Sequence, residues 1–118
     1  MISGDGQIAL LTRVLDVATL RHRVIAENVA NVNTPGYQRQ AVAFSDAFAR
    51  ALSEGKWDAA LQAPARVVAG AGDPRADGNN VDMDVEMGEL QQNSMLFQVY
   101  AQILALRIAQ MRSAISGH

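Results

Sequence analysis

The chain has 118 residues, a formal net charge of −2 and no cysteine. That length admits one domain, residues 1–118. The mild acidity and the single lysine, Lys56, leave no basic patch for a nucleic acid. The lack of cysteine excludes disulfides, zinc–thiolate sites and thiol nucleophiles.

Residues 1–6 are small and polar, and Asp5 is placed to cap the helix that follows. Over residues 7–33, Ile8, Leu11, Leu15, Ala18, His22, Ile25, Val29 and Val32 recur in steps of three and four, which predicts a long amphipathic helix. A second apolar row, Leu10, Val14, Val17 and Val24, widens the stripe beyond a two-helix seam, so this helix should meet more than one neighbour. Arg13, Asp16, Arg23 and Glu27 fall on the other face. The helix stops before Thr34-Pro35, because a proline disfavours helical geometry in the residue ahead of it. Pro35-Gly36 suits the two central positions of a type II turn. Asn28, Asn31 and Asn33 can bond the loose carbonyls of the last turn.

Residues 34–81 read as a bend, a short helix and an irregular connection. Ser45 should cap a helix over 45–52, with Phe44 and Phe48 pinning it to a long helix. Gly55, Pro64, Gly70, Gly72, Pro74 and Gly78 then interrupt any long element. Arg66-Val67-Val68-Ala69 fits a short strand, and Trp57, the only tryptophan, sits in a loop. Residues 55–80 should be the least ordered part of an isolated chain.

Asp82 is placed to cap a last helix over 82–116, with Asp84, Glu86 and Glu89 forming a solvated start at its positive end. Met83, Met87, Leu90, Ser94, Phe97, Ala101, Leu104, Ile108, Met111 and Ile115 keep a 3.5-residue rhythm, the seam of a helix packed along a partner. At 1.5 Å per residue it runs ~50 Å. Two long helices of one period, near the two ends of the chain, should pack on each other. The fold class is therefore mostly α: two long terminal helices paired as a coiled coil, joined by an irregular linker with short strands.

Little in the chain suggests reaction chemistry. Asp73, Asp77, Gly78 and Asp84 have partial calcium-loop spacing, but Arg75 takes a ligand position and Asp replaces the usual final Glu, so capping explains these acids better. Gly70-x-Gly72 lacks the rest of a dinucleotide loop. His22 has no second ligand at metal spacing, and His118 is terminal. No base stands beside a nucleophile. The reading expects no catalytic, cofactor or metal site and no enzyme activity. No apolar run approaches ~18 residues, so no membrane insertion is expected, and no basic-then-apolar leader marks a cleaved signal peptide.

The run Ala26-Glu27-Asn28-Val29-Ala30-Asn31-Val32-Asn33-Thr34-Pro35-Gly36-Tyr37 closely resembles the N-terminal signature of the bacterial flagellar rod and hook proteins, with Glu27 in place of a usual small residue. The run Asp77-Gly78-Asn79-Asn80-Val81-Asp82-Met83-Asp84-Val85-Glu86, followed by Asn93-Ser94 and Tyr100, resembles a membrane-proximal rod member of that family. The resemblance spans roughly residues 8–48 and 73–116. It implies antiparallel pairing of the terminal helices and a structural subunit of the basal-body rod, required for motility. The implied partners are copies of the chain, other flagellar rod proteins, a basal-body ring or adaptor at the rod base, and the flagellar type III export apparatus. It implies export without a cleaved signal and a place in the periplasm-spanning basal body. Asn28, Asn31, Thr34, Pro35, Gly36 and Tyr37 would form the assembly motif. Ile8, Leu11, Leu15, Ile25, Leu90, Phe97, Leu104, Ile108 and Met111 would form the helix seam.

Apolar stripes on long helices are covered when many subunits pack side by side, and non-closing contacts then generate a helical tube. On that view the ends of a free subunit are partly disordered until assembly. Two other readings use the same stripes: another rod protein of the family, or a soluble helical export chaperone or adaptor that is folded when alone.

Overall fold

A computed structural model describes residues 2–117, so His118 lies outside the described residues. Helix α1 runs Gly4–Ala30 and helix α4 runs Met83–Ser116. Between them lie strand β1 (Gln40–Ala43), helix α2 (Ser45–Ser53), the one-turn helix α3 (Trp57–Leu61) and strand β2 (Arg66–Ala69). The two long helices are antiparallel: Gly4 lies against Met111, Ala18 beside Asn93, and Asn28 beside Glu86. The described chain is elongated, 64 × 28 × 14 Å. The fold class is the expected one, with two short strands inside the connection.

Two of the three expected caps differ. Ser3, not Asp5, caps α1, its hydroxyl accepting from Gly6 N at 3.1 Å. Asp82 caps α4 as expected, accepting from Asp84 N at 2.9 Å and Val85 N at 3.4 Å. Ser45 does not cap α2; Phe44 holds that position, and the Ser45 hydroxyl instead accepts from Arg21 Nη2 at 2.7 Å.

The face of α4 that meets α1 also differs. In its later part the expected row has Ala101, Leu104 and Met111 half-buried against α1, with Phe97 and Ile108 exposed. In the first third, Met83, Met87 and Ser94 are exposed, and Glu86 and Asn93 are buried in their place. The cause is geometric. An α-helix repeats every 3.6 residues, so a strict heptad row drifts by about 20° per heptad off a straight contact line. Leu104, Tyr100, Asn93 and Glu86 lie within about 20° of Met111 around the helix, and all four are half-buried or buried. Ile115, the last residue of the expected row, is exposed.

The second apolar row of α1 is covered by the chain's own middle segment. Val17 and Val24 are buried, and Val17 packs with Phe44 and Ala63, flanked by Val42, Phe48 and Ala65. The Phe44 and Phe48 rings stack with centroids 4.9 Å apart. Arg13, expected on the solvent face, lies over the Phe44 ring at 5.4 Å and donates to the Ala63 carbonyl. Trp57 is half-buried at the start of α3, so residues 55–80 carry both a helical turn and a strand. β1 and β2 pair antiparallel, Gln40 opposite Ala69 and Ala43 opposite Arg66.

One apolar surface is left uncovered. Met95, Val99 and Leu106 are 61, 51 and 63 % exposed. They lie around the helix from Glu86, Asn93 and Leu104, on the side away from α1. Helix α4 is thus apolar on two faces, and only one of them has a partner within the described residues.

Candidate functional site

Where α1 ends, the chain must reverse and leave the helix pair, and the last carbonyls of a helix have no internal donors. Two asparagines and an arginine supply them. Asn31 Nδ2 donates to the Glu27 carbonyl at 2.8 Å, and its Oδ1 accepts from the Thr34 hydroxyl at 3.1 Å. Asn79 Nδ2 reaches the carbonyls of Asn31, Val32 and Thr34 at 2.8, 3.1 and 2.8 Å. Arg75 adds a guanidinium bond to the Val32 carbonyl and another to that of Val81. Thr34 to Tyr37 then close a turn, Tyr37 N donating to the Thr34 carbonyl at 3.2 Å, with Gly36 at φ +75°. That positive φ at the third position is the type II geometry that glycine favours. Gly36 N donates to the Asp77 carbonyl at 2.8 Å, and a Cβ on Gly78 would lie 3.4 Å from the Gly36 Cα. The motif 28–37 and the acidic stretch 77–86 therefore form one structure.

Asn28 is fully buried, and all four of its amide bonding positions are used. Its Nδ2 donates to the Gln40 carbonyl at 2.8 Å and to Glu86 Oε2 at 3.2 Å. Its Oδ1 accepts from Gln40 N at 2.9 Å and from the Tyr37 hydroxyl at 3.2 Å. One side chain at the end of α1 so fixes the start of β1, the turn tyrosine and the start of α4. Beside it, Glu86 is 0 % exposed and pairs with Arg39 Nε. Arg39 Nη2 also meets Glu89 Oε2 at 2.6 Å, and Nη1 donates to the Ala71 carbonyl at 3.3 Å. Gly70 makes room for this guanidinium: a Cβ there would lie 2.9 Å from Arg39 Nη1. The Arg39 N–H donates to Asn80 Oδ1.

Burial alone would make the Arg39 guanidinium easier to deprotonate, but its bonds to Glu86 and Glu89 and their charges outweigh that and hold it more firmly charged. Burial pushes the Tyr37 phenol above its ordinary range, and the carboxylates of Glu27 and Glu86 push the same way. Tyr37 therefore stays protonated and able to donate to Asn28. Arg21 is lowered by burial, with Glu89 opposing.

Of the expected motif residues, Asn28, Asn31, Thr34, Gly36 and Tyr37 all join this bend through hydrogen bonds. Pro35 is exposed and serves only the turn's backbone. The expected seam residues are less uniform. Ile25 is buried, and Ile8, Leu11, Leu15, Leu90, Leu104 and Met111 are half-buried; Phe97 and Ile108 are exposed. His22 is exposed and lines an open groove with Phe97 and Ser94. Among the described residues, no three His, Cys, Asp or Glu side chains gather as a metal site.

Arg39, Glu86, Asn79, Asn80 and Asn93 carry the bend and the helix pairing; the sequence gives no sign of Arg39, and the other four stand there only in the runs of the resemblance or as a helix-start acid. The reading of Glu86 as part of a solvated helix start is corrected: its neighbours Asp82, Asp84 and Glu89 are exposed, and it is not. One signal was present. Glu86, Leu90, Asn93 and Phe97 share a helical face, so a polar pair lies in an apolar row.

This bend ties the end of α1 to the starts of β1 and α4. The family described as "Flagella basal body rod protein" matches residues 20–38, which span the end of α1 and the turn. The chain is 35 % identical over 117 residues to the flagellar basal body rod protein FlgB of Borrelia hermsii, covering 83 % of this chain and 87 % of that one. It is 27 % identical to FlgB of Bacillus subtilis and 25 % to FlgB of Salmonella typhimurium, in each case over 96 % of this chain and 95 % of the relative. With the motif, the bend and the full-length relatives in agreement, the chain belongs to the FlgB family of flagellar basal body rod proteins.

Proposed function

We propose that the chain is a structural subunit of the basal-body rod, acting as one rod-type unit that assembles with copies of itself and with other rod proteins through its terminal helices. The observation that carries this is the second apolar face of α4, with Met95, Val99 and Leu106 in water. A helix that is apolar all round is normally a buried one. Side-by-side packing in a non-closing array covers such a face on every subunit but the last. The bend at residues 28–37 serves to aim the chain out of the helix layer in one direction.

On this reading the subunit passes through the flagellar type III export apparatus, meets a ring or adaptor at the rod base, and is needed for motility. Among the described residues no helix is long and apolar enough to cross a membrane. The role is mechanical rather than enzymatic.

The test is Leu106→Asp beside Leu104→Asp, scored by swimming and by recovery of rod protein in purified basal bodies. Leu106 faces away from α1, so its replacement should leave the folded chain intact and still block rod assembly. Leu104→Asp should block assembly and also loosen the helix pair. Normal swimming with Leu106→Asp would overturn the role assigned to the outer face. A chaperone would instead stay in the cytoplasm and leave no trace in basal bodies.

A further inference from the structure

The two-stranded sheet is sealed on one side and open on the other. Gly70 N donates to the Arg39 carbonyl at 2.8 Å. Antiparallel ladders alternate, so Arg66, Val68 and Gly70 bond toward β1, and the N–H and C=O groups of Val67 and Ala69 point to the opposite edge. The far edge of β1 is closed at Gln40 by the Asn28 amide. The far edge of β2 has no partner among the described residues. All four β2 residues are exposed, Val67 by 45 % and Val68 by 39 %, and they lie on opposite faces of the ribbon. A strand with open backbone groups, two exposed valines and no proline, lysine or acid is a template for another strand.

We propose that β2 pairs with β2 of a second copy of this chain, antiparallel about a two-fold axis, giving a four-stranded sheet. The register follows from the alternation. Outward-bonding residues must face each other, so Val67 lies opposite Ala69 of the partner subunit and Ala69 opposite Val67 of the partner subunit. Val68 then sits on the axis opposite its own counterpart. Both N–H and C=O groups of Val67 and Ala69 in each copy find a partner, four hydrogen bonds in all. Arg66 comes opposite Gly70 of the partner subunit, so the two Arg66 side chains do not face each other; the Arg39 guanidinium that lies over Gly70 is already paired with Glu86 and Glu89. No other register pairs the open groups of Val67 and Ala69 wholly with one another. The contact is small, which makes it a transient one. It closes on itself and does not extend an array, so it stands independently of the rod reading.

The absence of native cysteine makes a direct test available. In a non-hydrogen-bonded antiparallel pair the Cα atoms are ~4.5 Å apart, within disulfide range. Full-length Val68→Cys, incubated with oxidised glutathione, should form a disulfide-linked dimer at least about tenfold faster than Val67→Cys, whose counterpart lies two residues away along the strand. Adding Val67→Pro or Ala69→Pro to the Val68→Cys chain removes an outward N–H while leaving the ladder to β1 intact. Either should abolish the dimer with helix content unchanged. Two blockers guard against one of them failing to fold. Equal rates at positions 67 and 68, no dimer with Val68→Cys, or a dimer that survives both prolines in a folded chain would each overturn the proposal.

Discussion

Asn28 satisfies four separate backbone and side-chain groups, and no other residue type places two donors and two acceptors at one point in so small a volume. Asn28→Ala strands the Gln40 backbone, the Tyr37 hydroxyl and one oxygen of Glu86 away from water. A buried polar group left unpaired costs roughly 1–3 kcal/mol, so the variant should lose about 2–4 kcal/mol in urea unfolding. Glu86 and Arg39 form a buried ion pair, and breaking one side leaves an uncompensated charge. Arg39→Met should therefore cost about 3–5 kcal/mol, whereas Arg39→Met with Glu86→Leu should recover much of the loss. A double-mutant cycle from denaturant midpoints measures that recovery.

Tyr37 supplies a pH dependence of its own. Its folded-state pKa is raised, so the folded chain binds the phenolic proton more tightly than the unfolded chain does. The stability this confers is complete below the ordinary tyrosine value near 10 and is lost as pH rises through the raised one. Unfolding midpoints should fall above about pH 10 in the native chain, and Tyr37→Phe should remove that part of the slope.

At the scale of elements, Phe44 is the largest buried apolar side chain joining the middle segment to α1. It packs on Val17 and Ala63, carries Arg13 on its face and stacks on Phe48. Phe44→Ala should cost about 3–5 kcal/mol, as is usual for removing a buried ring. The loss should appear in the near-ultraviolet signal of Trp57 at the start of α3, with the helical far-ultraviolet signal largely kept, because α1 and α4 do not depend on that ring. Asn93 holds the helix pair in register from within. Its Nδ2 donates to the Ala18 carbonyl at 2.8 Å across the helix interface. A polar residue with a single good partner in an apolar seam favours one alignment over its neighbours.

The whole molecule is an elongated pair of helices with a side piece attached near one end, and its stability and its assembly rest on different faces. Leu104 touches the inner seam; Leu106 does not. Leu106→Asp should change the unfolding free energy of the isolated chain by no more than about 0.5 kcal/mol, the usual range for a surface site. Leu104→Asp should destabilise it outright. Comparing thermal melts of the two purified variants with their assembly separates the role of each face.

Several parts of this architecture were readable from residues alone. Apolar spacing marks both long helices because period and burial are coupled locally. Pro35-Gly36 marks the turn because φ is restricted residue by residue. Arg66 to Ala69 marks the strand through its β-branched pair. What the tertiary structure decided is which side of each helix is inside. The heptad row Met83, Met87 and Ser94 looked like the seam, yet Glu86 and Asn93 occupy it, because Arg39 brings a countercharge and Ala18 a carbonyl from distant parts of the chain. The second row of α1 looked free for neighbours, yet Val17 lies under Phe44 and Ala63, and the uncovered face belongs to α4. Local periodicity records that a face is apolar. Only the folded chain determines what covers it, since that depends on groups far apart in sequence whose meeting no local pattern encodes.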